Sequence, residues 1–429
     1  MSSETMLFGE CANLVRSSTL PSLYPDSPYI ALEHINQATL NLNGYAYGRD
    51  ADSQKTKFSK GDILFGKLRP YFRKVVIAPF DGLCSTDIWV VRPKGGIDRN
   101  FLFYWMASEE FINRSTDTSE GTRMPRAKWD VVSKFATPML HIDEQREIGA
   151  TLRALDDRIA LLRETNTTLE AIAQALFKSW FVDFDPVRAK QEGREPEGMD
   201  ADTAALFPDS FEESELGLIP KGWNWSTMDS ISTVGIGKTP PRKEPQWFSE
   251  NNKDERWVSI RDMGISGVFI SQTSEYLTAE SIDRFNVRII PGNTVLLSFK
   301  MTIGRVSLTV GKMTSNEAIA HFKLDEKSPL TSEYIYLYLK QFKYSTLSST
   351  SSIADAVNSK TVKNIPILVA DQSILKAFQN NVSAIFYRIK VIEEQSQTLT
   401  AIRDTLLPRL ISGQLRIPEA EALIEETTA

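Results

Sequence analysis

Two stretches of the chain place residues at alternating intervals of three and four. Leu152, Leu155, Ile159, Leu162, Asn166, Leu169, Ala173, Leu176 and Trp180 make the first. Val382, Ile385, Ile389, Ile392, Ser396, Leu399, Arg403, Leu406 and Leu410 make the second. The two coincide at a constant spacing of 230 residues, 152 onto 382 and 180 onto 410. Strict 3-4 alternation over four heptads is the seam of a coiled coil, and it is narrower than the apolar face of a helix that merely lies on its own domain. The pattern predicts two long helices, over 143–182 and 371–413. Asn166 and Ser396 fill the same slot in both, and one polar residue at a core position commonly fixes register. Asp143 and Asp371 are expected to cap the helices, Pro186 to end the first, and Pro408 to end or kink the second.

Upstream of each helix the pattern changes to short β-branched or aromatic runs punctuated by Gly and Pro. In 1–142 these are Val75-Val76-Ile77 and Ile88-Trp89-Val90-Val91, followed by short helices over Asn100–Ala107 and Glu109–Asn113. In 220–370 strands are expected at Trp257–Ile260, Val287–Ile290 and Val306–Leu308, with a helix over Glu333–Lys340. Short pieces recur in order: Gly61-Asp62-Ile63-Leu64 as Gly292-Asn293-Thr294-Val295, and Ser85-Thr86-Asp87 as Ser315-Asn316-Glu317. Likewise Pro138 with Asp143-Glu144-Gln145 returns as Pro366 with Asp371-Gln372. The repeated unit is a domain plus a helix, far longer than a solenoid repeat. The chain therefore reads as α+β. Two mixed, strand-rich domains (1–142 and 220–370) are separated by two long helices packed as an antiparallel coiled coil, a pseudo-twofold internal repeat. Residues 183–219, rich in Asp, Glu, Pro and Gly, read as a partly ordered connector, and 414–429 as a frayed acidic tail.

Composition adds limits. The 41% hydrophobic and 24% charged fractions are those of ordinary globular protein. The sequence shows no signal-peptide pattern and no membrane-length apolar run, and its two cysteines stand outside any CxxC, which together suit the cytoplasm. Net charge is −6, but it is unevenly placed. Residues 1–140 carry 17 basic and 15 acidic side chains, 141–219 carry 8 and 18, 220–370 carry 18 and 14, and 371–429 carry 6 and 8. Both repeated domains are mildly basic, which permits contact with phosphate, whereas the acidic connector does not.

Catalytic motifs are missing. Gly235-Ile236-Gly237-Lys238-Thr239 resembles the end of a phosphate-binding loop, but Ser232 stands where the first glycine belongs and Pro240-Pro241 follow where a helix should begin. His34, His141 and His321 are isolated, so no metal site is expected, and no cofactor is expected on this chain. No dinucleotide fingerprint and no Asn- or Asp-Pro-Pro-Tyr motif of adenine methyltransferases occurs. Basic and aromatic clusters remain. Lys67, Arg69, Tyr71, Arg73 and Lys74 form one, Arg123, Arg126 and Lys128 a second. Lys238, Arg242 and Lys243, with Lys300 and Arg305, form their counterparts in the other copy. Arg takes guanine edges bidentately, and both Arg and Lys bind phosphate, so these are the candidate DNA contacts. Trp223, Trp225, Trp247 and Trp257 read as core. A protein–protein adaptor using only the coiled coil is the second reading.

Over nearly its whole length the sequence resembles the specificity subunits of type I restriction–modification enzymes. The resemblance rests on Gly61-Asp62-Ile63-Leu64 with Lys67-Leu68-Arg69-Pro70, and on Gly237-Lys238-Thr239-Pro240 leading to Trp257-Val258-Ser259-Ile260-Arg261-Asp262. It rests also on Thr302-Ile303-Gly304-Arg305, Leu216–Trp223 and Leu406–Gly413. It implies two target-recognition domains, each reading half of a split sequence in double-stranded DNA, on a helical spacer. Two methyltransferase subunits would dock on this frame and motor-nuclease subunits would join them. S-adenosylmethionine, ATP and Mg would then belong to those partners. A helix over about 143–181 spans roughly 57 Å at ~1.5 Å per residue, enough for two readers a duplex turn of ~34–36 Å apart. The first domain lacks a clear counterpart of the Gly-Lys-Thr-Pro stretch, so its opening strand is expected to differ or be shortened.

Overall fold

The computed structural model describes residues 4–121, 123–347 and 357–428. The chain divides into two compact units, Met1–Leu161 with Ser396–Ala429, and Leu162–Gln395.

In the first unit a four-stranded antiparallel sheet runs in the order Ala12–Val15, Ile88–Pro93, Ile63–Gly66, Val75–Ile77. Its two central strands carry an apolar core run, with Ile63, Leu64, Phe65, Ile88, Trp89, Val90 and Val91 all buried and Arg92 exposed near the end of the second. Such continuous runs belong to strands covered on both faces. The helix Arg99–Ala107, buried from Phe101 to Ala107, contributes to that cover. Asp98 caps it, accepting from the amides of Asn100 (2.9 Å) and Phe101 (3.0 Å). A smaller five-stranded sheet (Ser18–Thr19, Lys55–Phe58, Gly82–Cys84, Pro28–Ile30, Ala46–Tyr47) stands beside it. The strands Glu4–Leu7 and Ala136–Met139 pair antiparallel and bring the two ends of the domain together.

The second unit repeats this plan. Asn224–Thr227 pairs with Pro366–Val369, and a larger sheet runs Thr233–Ile236, Ile319–Lys323, Val295–Ser298, Val306–Thr309, Phe269–Ile270. A smaller sheet holds Phe248–Ser249, Glu275–Leu277, Glu255–Val258 and Thr314–Ser315. The helix Ser332–Gln341, capped by Thr331, buries Tyr334, Ile335, Tyr336, Leu337 and Leu339.

The two plans correct several expectations. The opening strand of the first domain neither differs in pairing nor is shortened: Glu4–Leu7 and Ala12–Val15 take the places of Asn224–Thr227 and Thr233–Ile236. The repeated glycine turn aligns one residue later than the letters do. Gly61 (φ 90°) corresponds to Asn293 (φ 57°), not to Gly292. Each donates its amide to a neighbouring strand, Gly61 to Ala78 at 2.8 Å and Asn293 to Thr309 at 2.9 Å. The position needs left-handed backbone, which asparagine tolerates, whereas Gly292 is needed for close approach to Gly311. By the same reasoning Ser85 corresponds to Asn316, since their carbonyls accept from Ile88 and Ile319 in turns of one kind. Val287–Ile289 form no strand, only Ile290 bridging Met313, because the helix Ala279–Phe285 ends directly before them at left-handed Asn286. Trp257-Val258 end a strand, and Ser259 caps the short helix Ile260–Ile265.

Both long helices are present, Ile142–Phe181 and Gln372–Ile411, each of 40 residues. Their antiparallel pairing is visible within each unit. In the second, Asn166 Nδ2 donates to Ile389 O (3.2 Å) while Phe177 meets Phe378 edge to face (5.8 Å). In the first, Asp156 meets Arg403 (2.6 Å) while Leu140 stands beside Gly413. The buried face is wider than the heptad seam. Phe177 also packs on Tyr334 (5.0 Å) and Phe386 on Tyr336 (5.6 Å), so one helix serves both its partner helix and the domain core. Asp371 caps the second helix as expected, accepting from Ser373 N at 2.8 Å, whereas Asp143 falls inside the first turn. Pro408 lies within the second helix, one turn from its end. Pro186 begins the short helix Asp185–Gln191 rather than ending the long one at Phe181. The segment 183–219 is structured. It carries that helix, a second over Ala201–Leu206, and the hairpin Phe211–Ser214 with Gly217–Pro220, anchored by buried Val187, Phe207 and Ile219. The acidic tail is helical from Ile417 to Thr428. Trp223, Trp247 and Trp257 are buried and Trp225 half-buried.

Candidate nucleic-acid interface

The strand Ile63–Gly66 leads into a loop whose backbone is left-handed at Arg69 (φ 52°) and again at Arg73 (φ 49°), around one turn at Pro70–Phe72. The left-handed turns reverse the direction of successive side chains and split the basic cluster. Arg73 is turned inward: its Nε donates to Ala107 O (2.5 Å) and its guanidinium lies 3.8 Å from Asp404. Burial holds its pKa below the ordinary arginine value. Lys74 is likewise fixed, its ammonium on Leu32 O and its pKa lowered by burial. Tyr71 stays exposed, and Arg69 is half-buried with its guanidinium donating to Arg123 O (3.1 Å).

The two basic clusters of the first domain come together. Arg69 N donates to Pro125 O (2.8 Å) and Ala127 N to Lys67 O (3.0 Å), so the segment carrying Arg123 and Arg126 is stitched to the first loop. Beneath them lies the repeated turn Ser85–Asp87: Lys67 N donates to Asp87 O (2.9 Å), and Arg126 holds the Asp87 carboxylate through two bonds (2.8 and 3.1 Å). Lys128 pairs with Glu120 at 2.6 Å. The result is a ridge on which Tyr71 and Arg123 are exposed and Lys67, Arg69 and Arg126 half-buried.

The second domain builds on the corresponding turn. Lys238 N donates to Ser315 O (2.8 Å), the Thr239 hydroxyl bonds Glu317, and Phe299 N donates to Ala318 O (2.9 Å). Lys238, Lys243 and Lys300 are exposed. Arg242 is bound bidentately by Glu275 (2.6 and 2.9 Å) and lies over Phe248 (4.2 Å) and Trp257 (4.5 Å). Arg305 donates to Ile260 O and lies against Gly264, where a β-carbon would collide with its guanidinium. It lines a shallow groove with Arg261, Ile265, Met301, Thr302 and Asn316. Met301 and Ile265 were not legible as site residues, because a methionine or isoleucine letter signals core until its backbone is known, and Arg261 stands outside the basic clusters of the sequence.

The glycine stretch has a packing role. Thr233–Ile236 is a sheet strand, and a β-carbon on Gly237 would lie 2.1 Å from Asn316 O. Gly235 similarly makes room for His321, whose pKa burial pushes down to about 4. Among the described residues no group of three or more His, Cys, Asp or Glu could hold a metal ion, and no helix is long and apolar enough to cross a membrane.

Two strand-rich domains, each with a basic loop ridge and one strand of a helical pair, define a DNA-specificity architecture rather than a catalytic one. The family model described as the type I restriction modification DNA specificity domain matches twice, at residues 12–171 and 220–394. The HindI specificity subunit of Haemophilus influenzae is 30% identical over 410 residues, covering 84% of this chain and 88% of that one. The MjaIX specificity subunit of Methanocaldococcus jannaschii is 26% identical over 371 residues, covering 84% and 79%. In fold the chain is similar to the S subunit of a type I restriction–modification system from M. genitalium, with TM-score 0.54, 14% identity and 96% of both chains covered. The chain belongs to the family of type I restriction–modification specificity subunits, whose role is to specify DNA sequence and not to catalyse. That membership disfavours the adaptor reading.

Proposed function

We propose that each domain reads one half of a bipartite double-stranded DNA target, and that the long helices set the unspecific gap between the halves. The observation that carries this is the repeat with unlike tips. Both domains share the order of four strands in the larger sheet and the same turn floor, yet at the equivalent left-handed loop position one places Arg69 and the other Met301. A shared scaffold with divergent tips is what two different half-sites require. The contacts are assigned to Lys67, Arg69, Tyr71, Arg123 and Arg126 in one domain and to Lys238, Arg242, Lys243, Lys300 and Arg305 in the other. Arg73 and Lys74 support the loop from within.

The same reading gives the chain two methyltransferase subunits and, for cleavage, motor-nuclease subunits as partners in the cytoplasm. S-adenosylmethionine, ATP and Mg would be bound by those partners. The test is a genome-wide map of methylated adenine in cells with and without this gene. One bipartite motif should vanish with the gene. A map that is unchanged, or a lost motif without two halves, overturns the proposal.

A further inference from the structure

Met301 and Ile265 are the two most exposed large apolar side chains among the described residues, at 85% and 78%. They line the same groove, although they are distant in sequence. Met301 is held in left-handed backbone (φ 61°), which a residue with a β-carbon adopts at a cost. It is the third residue after Ser298, as Arg69 is the third after Gly66, and strand register equates Ser298 with Gly66 through their partners Ile319 and Ile88. The position is therefore the structural twin of Arg69.

The surroundings say what the apolar pair meets. Arg261 and Lys300 are exposed beside it, Arg305 is fixed at the groove by Ile260 O, and Asn316 lines the floor. Apolar tips rimmed by cations match a surface that is apolar at its centre and anionic at its edges. In duplex DNA that is the thymine 5-methyl group in the major groove, flanked by phosphates. We propose that Met301 and Ile265 are specificity-determining residues of the second domain, reading a thymine methyl by apolar contact, where Arg69 occupies the equivalent tip of the first. This rests on the reading of the second domain as a half-site reader.

The experiment uses the full chain assembled with its methyltransferase subunits. A randomised duplex library gives the enriched target, and duplexes are then made with each thymine replaced in turn by deoxyuridine, which removes only the methyl group. At one thymine of the second half-site the unaltered protein should lose roughly tenfold in affinity. Met301→Gly, which the left-handed backbone accepts, and Ile265→Ala, a surface change, should each abolish that sensitivity while binding to unselected DNA and melting temperature stay unchanged. Indifference of the unaltered protein to every replacement overturns the inference, and so does undiminished sensitivity in both variants. Weakened subunit assembly with discrimination intact overturns it too, in favour of a protein-facing surface. Failure to enrich any sequence would instead overturn the half-site reading itself.

Discussion

Arg403 Nη1 lies 2.6 Å from Asp156 Oδ1, with Arg403 only 2% exposed, in a seam whose other positions are mostly aliphatic. Asp156 also accepts from the Tyr104 hydroxyl (2.6 Å), and Arg403 reaches Asp404 as well (2.8 Å). Burial pulls the Arg403 pKa down, but the Asp156 and Asp404 carboxylates more than offset it, so the guanidinium stays charged. At the matching heptad positions of the second unit stand Phe386 and Ala173, both buried. The repeated frame is thus ionic in one unit and aromatic in the other.

Removing one member of that pair should leave an uncompensated buried charge. Arg403→Ala is expected to destabilise by roughly 3 kcal/mol, and Asp156→Leu with Arg403→Met together by much less. Thermal unfolding of the two variants checks this. Equal losses would show that the pair contributes little beyond its packing.

Glu393 joins the second long helix to the sheet of its own unit, accepting from the amides of Val268 (2.8 Å) and Phe269 (3.1 Å). Burial, working against those two bonds, pushes its pKa up to about 7 from an ordinary 4.5. The folded chain therefore holds this proton more tightly than the unfolded chain. The associated stability is complete below about pH 4.5 and is lost as pH rises through about 7, on the order of 2 kcal/mol. Between pH 4.5 and 7.5 the unaltered protein should lose stability relative to Glu393→Gln. Parallel curves for the two proteins would refute it.

Gly237→Ala should destabilise by about 1–3 kcal/mol, because the new methyl would lie 2.1 Å from Asn316 O. Lys238→Ala, beside it and exposed, should leave the melting temperature unchanged and weaken DNA binding. Calorimetry with a DNA titration separates the two. A nucleotide-binding loop would instead lose nucleotide affinity in both variants.

Arg69→Ala should relax preference at one position by ~1–3 kcal/mol if its guanidinium takes a base edge. If it takes a phosphate, all sequences weaken alike and the salt dependence falls by about 0.9 in the logarithmic slope. Arg73→Ala should do neither, lowering stability instead, because its bonds run to Ala107 O and towards Asp404. Binding isotherms on selected and unselected duplexes at several salt concentrations decide. An Arg73→Ala protein of full stability and lost preference would reverse the assignment.

Inserting one heptad into each long helix should lengthen the unspecific gap of the target and keep both half-sites. Sequencing of methylated sites reads this directly. An unchanged gap with binding retained would show that the helices do not set it.

Periodicity alone placed the long helices, because a seam of eight or nine positions leaves no other regular structure able to bury it. The strand Ile88–Pro93 was equally plain from its run Ile88–Val91, and the helix Arg99–Ala107 was expected from Asn100 on, while its cap Asp98 was not. Less visible was the order of the segment 183–219, whose anchors Val187, Phe207 and Ile219 are too sparse to form a local pattern. They are buried only because the aromatic core of the second unit receives them.

The candidate site divides in the same way. Residue type identified Lys67, Arg69, Arg123 and Arg126 as possible DNA contacts, but backbone conformation decided among neighbours. A left-handed turn at Arg69 and another at Arg73 send the first to Arg123 O in the neighbouring basic segment and the second to Ala107 O. It also decided that Asn293, not Gly292, is the partner of Gly61, and that Met301 rather than a basic residue stands at the twin of Arg69. What the sequence determined by itself is what repeats: heptad phase, strand composition and the partition of charge, all of them local properties. Which side chains face solvent together depends on dihedral angles and on contacts between residues far apart in the chain. Those exist only once the sheets have paired and the loops have been stitched across them.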